Sequence, residues 1–471
     1  MNTRRQFLIR APLAALVGAA ACRSETPAPE TATTQSAPGT PGAPPTFGTG
    51  TGSGPAVSPV TFAEAEKLLQ VTLTPAERQQ AADSWRQSIA PYLERRTGPR
   101  RVVIASTDSP ATLWNPASPS ILGDDRRSPE RLALPDRFVR SKGDGALPAS
   151  DDAIAFAPVT VLSRWIESRQ LTSERLTNIY LSRIERLDGK IRAIITLTRV
   201  HALARAKAAD AEIAAGKYRG PLHGIPYGVK DLLDTKDIPT TYGAEPFRNR
   251  VPSADSAVVR RLNDAGAVMI AKLSLGALAL NDIWFGGQTM NPWVLEEGAS
   301  GSSAGPGAAT AAALVAFSIG SETGGSIVSP AMRCGVTGMR PTFGRVPRTG
   351  AMTLCWSLDK LGPMTRSVED AMLVLQAISG PDAGDLSSVP SRFAFDATAP
   401  VAGMRVGYIA QWMNELPATD VDRAAMEAMK KLKMELKEVA LPDWPYSSLM
   451  PILFAEGAAL DRAVTSATDR R

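Results

Sequence analysis

Residues 301–327 of the chain read GSSAGPGAATAAALVAFSIGSETGGSI. Two serine-bearing turns enclose this stretch, Gly301-Ser302-Ser303-Ala304-Gly305 at its start and Thr323-Gly324-Gly325-Ser326-Ile327 at its end. An alanine-rich run over 308–316 bridges the turns, and residues 317–321 are predicted to form a strand that leads into the second turn. Hydroxyl groups beside glycine-rich backbone, whose N–H groups can face a developing oxyanion, are what covalent acyl transfer needs.

Helices and strands alternate on the amino-terminal side of this stretch, from about residue 158 onward. Leu176, Ile179, Tyr180, Ile184 and Leu187 recur at the spacing of one helix face. The segments that follow are predicted to be a strand over 191–197, a helix over 202–215, a helix over 253–265 and a buried strand over 267–271. This alternation predicts a layered α/β domain.

Lys230 lies 72 positions before Ser302 and is the candidate base. The apolar residues 225–229 before it are typical of a strand that runs into a core. A free lysine is almost wholly protonated at neutral pH, but burial disfavours the ammonium form and lowers the pKa. A buried lysine can therefore accept a proton from a serine hydroxyl.

The first turn also fits the short G-x-S-x-G pattern of a nucleophile elbow, with Ser303 as the nucleophile. That arrangement places its acid and its histidine after the serine in chain order. The chain has two histidines, His201 and His223, and both precede Ser303. The elbow interpretation is therefore rejected, and lysine remains as the base.

The composition excludes several other classes of function. The 471 residues carry a formal charge of +5 without a dense basic cluster, so no nucleic-acid partner is expected. The cysteines, Cys22, Cys334 and Cys355, are too few for a disulfide framework and match no zinc spacing. No phosphate-binding loop, dinucleotide fingerprint or metal-ligand cluster is evident, so no cofactor and no metal are expected.

Residues 1–22 are predicted to be a signal peptide of the twin-arginine type. Arg4 and Arg5 precede an apolar run over 11–21 that is of signal-peptide length and too short to span a bilayer. Cys22 follows three alanines, which suits either signal cleavage or lipidation of Cys22. We expect export to the periplasm or a membrane-anchored lipoprotein.

Two further segments separate this signal from the α/β domain. Residues 23–59 are rich in proline, threonine, serine and glycine and are predicted to be a disordered linker. Residues 60–153 are predicted to be an N-terminal helical extension, where Thr61 with Glu64 and Thr74 with Glu77 have the spacing of capping boxes.

The motifs around the lysine and the serines together resemble the amidase signature family. They comprise residues 220–226 (GPLHGIP), 229–231 (VKD), 321–327 (SETGGSI), 334–338 (CGVTG), 340–342 (RPT) and 366–370 (RSVED). The resemblance covers about residues 155–385, and it is specific because order, spacing and glycine placement agree. It implies a mixed β-sheet core covered by helices over residues 154–471, the amidase signature fold.

Carried over position by position, the resemblance implies Ser326 as nucleophile, Ser302 as bridging serine and Lys230 as base. The peptide bond beside the bridging serine is usually cis in this family. The backbone N–H groups of Thr323, Gly324, Gly325 and Ser326 are the implied oxyanion donors. The implied activity is an amidase that hydrolyses a small-molecule carboxylic amide through an acyl-enzyme.

Several positions depart from the family pattern. Ala304 replaces a glycine, Pro306 a serine, Glu322 the usual aspartate, and Val328 the arginine that commonly follows Gly-Gly-Ser-Ile. The chain after Ser326 is also shorter than is usual, so we expect a domain that is incomplete at its carboxyl end. Two alternatives stay open: a glutaminase-type subunit of the tRNA-dependent amidotransferase, and a catalytically silent envelope binding protein with the same fold.

Overall fold

The computed structural model describes residues 52–69, 71–103, 136–143, 145–390, 392–414 and 419–468. The chain divides into two compact units, Met1–Asp108 with Ala399–Ser466, and Ser109–Thr398 with Ala467–Arg471. The predicted signal peptide, Cys22 and residues 23–51 of the predicted linker lie outside the described residues. The candidate site belongs to the second unit.

The helices of the described residues follow one another in chain order. They are α1 Pro59–Leu69, α2 Pro75–Thr97, α3 Asp151–Phe156, α4 Val159–Glu167, α5 Ser173–Ile191, α6 Arg199–Ala214, α7 Ala257–Asp264, α8 Ala304–Ala311, α9 Val328–Cys334, α10 Val368–Ile378, α11 Ala410–Asn414, α12 Asp420–Lys431 and α13 Met450–Thr468.

The strands are short and alternate with these helices. They are β1 Arg137–Val139, β2 Ile194–Leu197, β3 Pro226–Lys230, β4 Val268–Leu273, β5 Ile283–Trp284, β6 Gly287–Gln288, β7 Met290–Asn291, β8 Val294–Gly298, β9 Phe317–Glu322, β10 Thr337–Gly338, β11 Lys360–Thr365, β12 Ala394–Asp396, β13 Arg405–Tyr408 and β14 Glu435–Glu438.

The main sheet of the second unit has the strand order β10-β11-β9-β3-β4-β2. The neighbouring strands β9, β3 and β4 are parallel, whereas β11 pairs with β9, β10 with β11, and β2 with β4 in antiparallel register. Every residue of β3, β4 and β9 is buried, as expected for parallel strands that are covered on both faces. The predicted α/β class with a mixed sheet is confirmed.

Helices cover this sheet and form the core with it. Helices α5 and α6 pack against each other, α6 packs on β4, α8 on β9, and α10 on β11. The stripe predicted from residue 176 onward is the buried face of α5, on which Leu176 and Tyr180 have no exposed surface. Apolar periodicity predicted this helix correctly because its face is buried in the core.

The parallel strands bring distant segments to one edge of the sheet. Strand β3 ends at Lys230 and strand β9 ends at Glu322, and the two strands are paired in parallel register. Since parallel neighbours share the same direction, their carboxyl ends lie at the same edge. The lysine and the second serine turn are therefore neighbours in space.

The other unit contains the predicted helical extension in part. Helix α2 begins after Thr74, whose side chain accepts from the Glu77 N–H while Glu77 caps the Thr74 N–H, so this predicted capping box is confirmed. Helix α1 begins at Pro59, so Thr61 lies inside it rather than at its start. Strands β13 and β14 pair in parallel in the same unit.

Of the helices in the described ranges, none has both the length and the apolar character to cross a membrane.

Candidate active site

Lys230 is the last residue of β3 and its side chain is fully buried. Its Nζ donates hydrogen bonds to three serine hydroxyls, at 2.8 Å to Ser302, 3.0 Å to Ser303 and 2.8 Å to Ser321. Burial lowers the pKa of Lys230 to about 7, against the opposing charges of Asp359 and Glu322. A substantial fraction of this lysine is therefore neutral near pH 7 and can accept a proton.

Ser302 and Ser303 immediately precede helix α8, at the point where this helix approaches the end of β4. The Gly305 N–H donates to the Ser274 carbonyl at 3.0 Å, which fixes the first turn of the helix against the sheet. The peptide bond between Gly301 and Ser302 is cis. The predicted bridging serine therefore lies in hydrogen-bond contact with the predicted base, and the cis bond lies where the resemblance placed it.

The Ser303 hydroxyl is held in place by hydrogen bonds to the backbone of Ser321. Its Oγ donates to the Ser321 carbonyl and accepts from the Ser321 N–H, both at 3.1 Å. Its own N–H donates to the Ser326 carbonyl at 3.1 Å. Ser303 thus joins the two turns, and its hydroxyl proton is already engaged by a carbonyl. By contrast, the Ser302 hydroxyl donates to none of the residues that the structure describes, so its proton is available.

Ser326 lies half-buried on the turn between β9 and α9. Within the described part of the chain its hydroxyl makes no hydrogen bond, including none to Ser302. Lys230 and Ser302 are therefore in direct hydrogen-bond contact. Ser326 contacts this pair only indirectly, because its carbonyl oxygen accepts from the N–H of Ser303, the residue next to Ser302. The relay from Ser326 to Ser302 stays a prediction.

Two buried carboxylates hold the second turn. Asp359 accepts from the Thr323 hydroxyl at 2.5 Å and from two backbone N–H groups, those of Leu354 and Cys355. Glu322 accepts from the N–H groups of three residues that follow it along the turn, Gly325, Ile327 and Val328. The turn is therefore fixed from inside the protein by charge-assisted hydrogen bonds.

The predicted oxyanion donors differ in whether their N–H groups already make a hydrogen bond. The Gly325 N–H donates to Glu322, and Gly325 has a φ of 120°, which favours glycine. In the described chain, the N–H groups of Thr323, Gly324 and Ser326 are hydrogen-bonded to no other residue. The role of Thr323, Gly324 and Gly325 as oxyanion donors stays a prediction.

A pocket opens beside this cluster. Polar residues form part of its wall, namely Ser321, Thr323, Arg348, Thr353 and Asp359, and the rest is apolar: Leu232, Ala279, Ala351, Met352, Leu354 and Leu361. Because Ser321 is a hydrogen-bond partner of Lys230, the pocket borders the buried cluster.

His223 is part of a structural hydrogen-bond network away from the serine cluster. The imidazole is buried, its Nε2 lies 3.1 Å from a Glu212 carboxylate oxygen, and its Nδ1 accepts from the Arg219 N–H. Cys334 and Cys355 are buried. Among the described residues, no three His, Cys, Asp or Glu side chains are grouped so as to hold a metal ion.

Sequence reasoning missed Ser321, Asp359 and the hydrogen-bonding role of Glu322. Ser321 and Glu322 end a buried strand, where a polar residue in an apolar run is a signal for a site at the sheet edge. Asp359 had no comparable local signal, because it is 36 positions from Thr323. Only the fold brings them together.

Comparison with known proteins gives concordant matches. The family model described as Amidase matches residues 175–470. The Mycobacterium tuberculosis protein named "Putative amidase AmiD" is 43% identical over 288 residues, covering 60% of this chain and 60% of that protein. One subunit of the glutamyl-tRNA(Gln) amidotransferase of Moorella thermoacetica is 40% identical over 297 residues, covering 61% of each. The chain thus spans about three fifths of the length of these curated relatives.

A solved structure is similar to the chain over about two thirds of its length. The native peptide amidase from Stenotrophomonas maltophilia is 35% identical, with a TM-score of 0.61, and the match covers 66% of this chain and 68% of that chain.

Proposed function

The chain belongs to the amidase family, and we propose that it hydrolyses a carboxylic amide through an acyl-enzyme on Ser326, with Ser302 and Lys230 as the proton relay. The observation that carries the proposal is the buried contact of 2.8 Å between Lys230 Nζ and Ser302 Oγ. Burial lowers the pKa of this lysine to about 7, which suits a general base at neutral pH.

In the first half-reaction the Ser326 oxygen attacks the amide carbonyl carbon. Its proton passes to Ser302, whose own proton passes to neutral Lys230. The C–N bond then breaks, and the same relay run in reverse protonates the departing amine. The attack requires the Ser326 hydroxyl to approach Ser302, and such hydrogen bonds often form only when substrate is bound.

In the second half-reaction water attacks the acyl-enzyme ester. The relay removes the water proton and returns it to Ser326, which releases the carboxylic acid. The predicted donors Thr323, Gly324 and Gly325 would stabilise the oxyanion in both halves. The small pocket beside Ser321 and Thr323 has both apolar and charged side chains in its wall, the latter from Arg348 and Asp359, so the nature of the acyl group is decided by the substrate panel below.

Ammonia release from a panel of primary carboxylic amides tests the proposal. The panel includes C-terminal peptide amides, fatty acyl amides and glutamine, each assayed with the wild-type chain and with Lys230→Ala. We expect release from at least one amide of the panel, lost in the variant. Absence of hydrolysis across the panel, with no covalent labelling by a fluorophosphonate probe, would favour the catalytically silent binding protein.

A glutaminase-type subunit of an amidotransferase is the second candidate. The 40% identity to the Moorella thermoacetica protein supports it. Glutamine as the preferred substrate in the same panel would favour this candidate over an amidase of other carboxylic amides.

For the amino-terminal segment we propose export, with Cys22 as a site of lipid attachment. Fractionation of cells that express the full chain, after metabolic labelling with palmitate, tests both parts. Periplasmic or membrane location supports export, and label that is lost in Cys22→Ala supports the anchor. An unlabelled chain in the cytoplasm would contradict both.

A further inference from the structure

We infer that Lys272 keeps the base Lys230 free of a carboxylate partner, because it holds Asp231, the next residue of the chain, in a separate buried ion pair. This inference rests on the proposed function, since it concerns the base of the proton relay. Lys272 and Asp231 act on the reaction only through Lys230, so they are positioning residues whose effect goes beyond the stability of the fold.

Two buried lysines lie on neighbouring strands and have different partners. Lys230 ends β3 and Lys272 lies on β4, and neither side chain has exposed surface. The Nζ of Lys230 contacts three serine hydroxyls and makes no ion pair with the residues that the structure describes. The Nζ of Lys272 lies 3.2 Å from a carboxylate oxygen of Asp231. Lys272 therefore has the charged partner, and Lys230 has neutral ones.

The register of the two strands explains this division. Successive side chains of a strand point to opposite faces of its sheet. In the pairing of β3 with β4, Val229 is the partner of Lys272. Asp231 follows two positions after Val229 and lies on the same face, whereas Lys230 between them faces the serine cluster. The carboxylate nearest to the base in the sequence is thus directed away from it.

Further hydrogen bonds stabilise both members of the pair in their ionised forms. The Lys272 ammonium donates to the Leu233 carbonyl at 2.8 Å and to the Thr240 hydroxyl at 2.5 Å. With Asp231, its three N–H groups have three acceptors. Asp231 accepts from the N–H of Thr241 at 2.8 Å and from its hydroxyl at 2.5 Å. These contacts fix Asp231 on the side of Lys272.

Four further charged groups act on the two lysines from neighbouring segments. They are Asp359 and Glu322, which act on Lys230, and Asp234 and Arg250, which act on Lys272. The first two raise the pKa of the base, but burial outweighs them and lowers it to about 7. The last two form an ion pair of their own at 2.7 Å. An unpaired Asp231 would add a third carboxylate charge and raise the pKa of Lys230.

Removal of Lys272 should favour the ammonium form of Lys230 in two ways. A like charge on the neighbouring strand is lost, and the Asp231 carboxylate is left without its partner. Both changes raise the pKa of Lys230, so the pH at which labelling reaches half of its maximal rate should rise. The double variant Asp231→Asn with Lys272→Met removes both charges and leaves the net charge around the base unchanged.

The first test compares the pH profiles of fluorophosphonate labelling of the wild type, Lys272→Met and the double variant. Arg183→Met is the control. Arg183 is also buried and forms an ion pair with Asp152, and it contacts the carbonyl groups that follow helix α8, at the opposite end of this helix from the serines. The midpoint of a profile compares rates within one variant, so it does not depend on the fraction of the protein that folds.

We expect the midpoint of Lys272→Met about one pH unit above that of the wild type, and those of the double variant and Arg183→Met within about 0.3 unit of it. A midpoint that is unchanged in Lys272→Met, or equally raised in the double variant, would overturn the inference. If the wild type is not labelled, or is labelled at a rate independent of pH, it is the proposed function that fails.

The second test, neutron diffraction from deuterium-exchanged crystals of the wild-type chain, does not depend on the folding of a variant. At about pH 8.5, above the pKa of about 7 of Lys230, we expect two deuterons on its Nζ, three on that of Lys272 and none on the Asp231 carboxylate. A deuteron on Asp231, or Asp231 in contact with Lys230, would overturn the inference. Three deuterons on Lys230 would instead contradict its role as the base.

Discussion

The Nζ of Lys230 lies 2.8 Å from the Oγ of Ser302, although the two residues are 72 positions apart in the sequence. Both side chains are buried, and the contact is made where strand β3 ends beside the start of helix α8. A lysine in such surroundings is driven toward its neutral form, and a hydroxyl in contact with it can supply a proton. The reactivity of the site should therefore depend on this contact and on the packing that maintains it.

The rate of covalent labelling should depend on the ionisation of Lys230. Burial lowers the pKa of this lysine from its ordinary value to about 7, so the base is protonated below pH 7 and neutral above it. We expect the fluorophosphonate labelling rate to fall about tenfold per pH unit below about pH 6 and to level off above about pH 8. A rate that is constant from pH 5 to pH 8 would contradict a lysine base.

Ser302→Ala and Ser303→Ala should have different effects, although the two serines are adjacent. Ser302→Ala removes the hydroxyl whose proton is available, so we expect labelling to slow by about 10²- to 10⁴-fold with little change in stability. Ser303→Ala removes both hydrogen bonds to the Ser321 backbone, so we expect a loss of about 1–3 kcal/mol in the free energy of unfolding.

Labelling kinetics and urea unfolding of the two purified variants separate these effects. The outcome that contradicts this assignment is the reverse pattern, in which Ser303→Ala abolishes labelling at full stability and Ser302→Ala labels normally.

Gly301→Ala should displace the bridging serine. A Cβ at Gly301 would lie 1.9 Å from the carbonyl oxygen of Asn281, a backbone atom in a segment where Leu278, Ala279 and Asn281 all have positive φ. Overpacking of this kind costs about 1–3 kcal/mol, and a shift of Ser302 would also slow labelling. Thermal unfolding and labelling of the variant measure both effects.

Gly189→Ala is the control for this substitution. Gly189 lies in helix α5, and beyond the local helix backbone an added Cβ would meet no atom within 4 Å, so stability should be unchanged or slightly raised and labelling unaffected. Equal unfolding temperatures and equal labelling rates of Gly301→Ala and Gly189→Ala would show that the close approach at Gly301 affects neither stability nor reactivity.

Removal of one partner of the buried ion pair between Lys272 and Asp231 should lower the stability of the fold. The two side chains have no exposed surface, and their charged atoms are 3.2 Å apart. Burial lowers the pKa of Lys272 and raises that of Asp231, so each depends on the other to remain ionised. We expect Lys272→Met alone to destabilise the chain by about 3–5 kcal/mol, because it leaves Asp231 unpaired.

The double variant Asp231→Asn with Lys272→Met should lose less stability than the sum of the two single variants in urea unfolding. Additive losses would contradict the pairing. Lys430→Met, which removes one partner of the exposed pair of Lys430 and Glu427, should cause no measurable change.

The sequence predicted the parts of the fold and site that depend on local pattern. The apolar run before Lys230 is a buried strand, and Thr74 with Glu77 forms the expected capping box. The glycine-rich turns could be placed because their order and spacing resemble those of a family, and the match to that family is confirmed. Local periodicity and turn composition suffice for such features.

The remaining features depend on contacts between distant segments. Ser321 and Ser303 both reach Lys230, at sequence separations of 91 and 73 positions, and no local pattern shows that either serine contacts this lysine. Asp359 reaches the second turn from the residue before strand β11, because β11 pairs with β9. Such groups become predictable only when the order of strands in the sheet is known.

The most direct measurement is the site of covalent attachment of a fluorophosphonate probe, mapped by mass spectrometry of the digested wild-type chain, Ser326→Ala and Ser303→Ala. The proposed mechanism predicts the phosphonate on Ser326 in the wild type and in folded Ser303→Ala, and no labelling of Ser326→Ala. Attachment to Ser303, or undiminished labelling of Ser326→Ala, would contradict the assignment of Ser326 as the nucleophile.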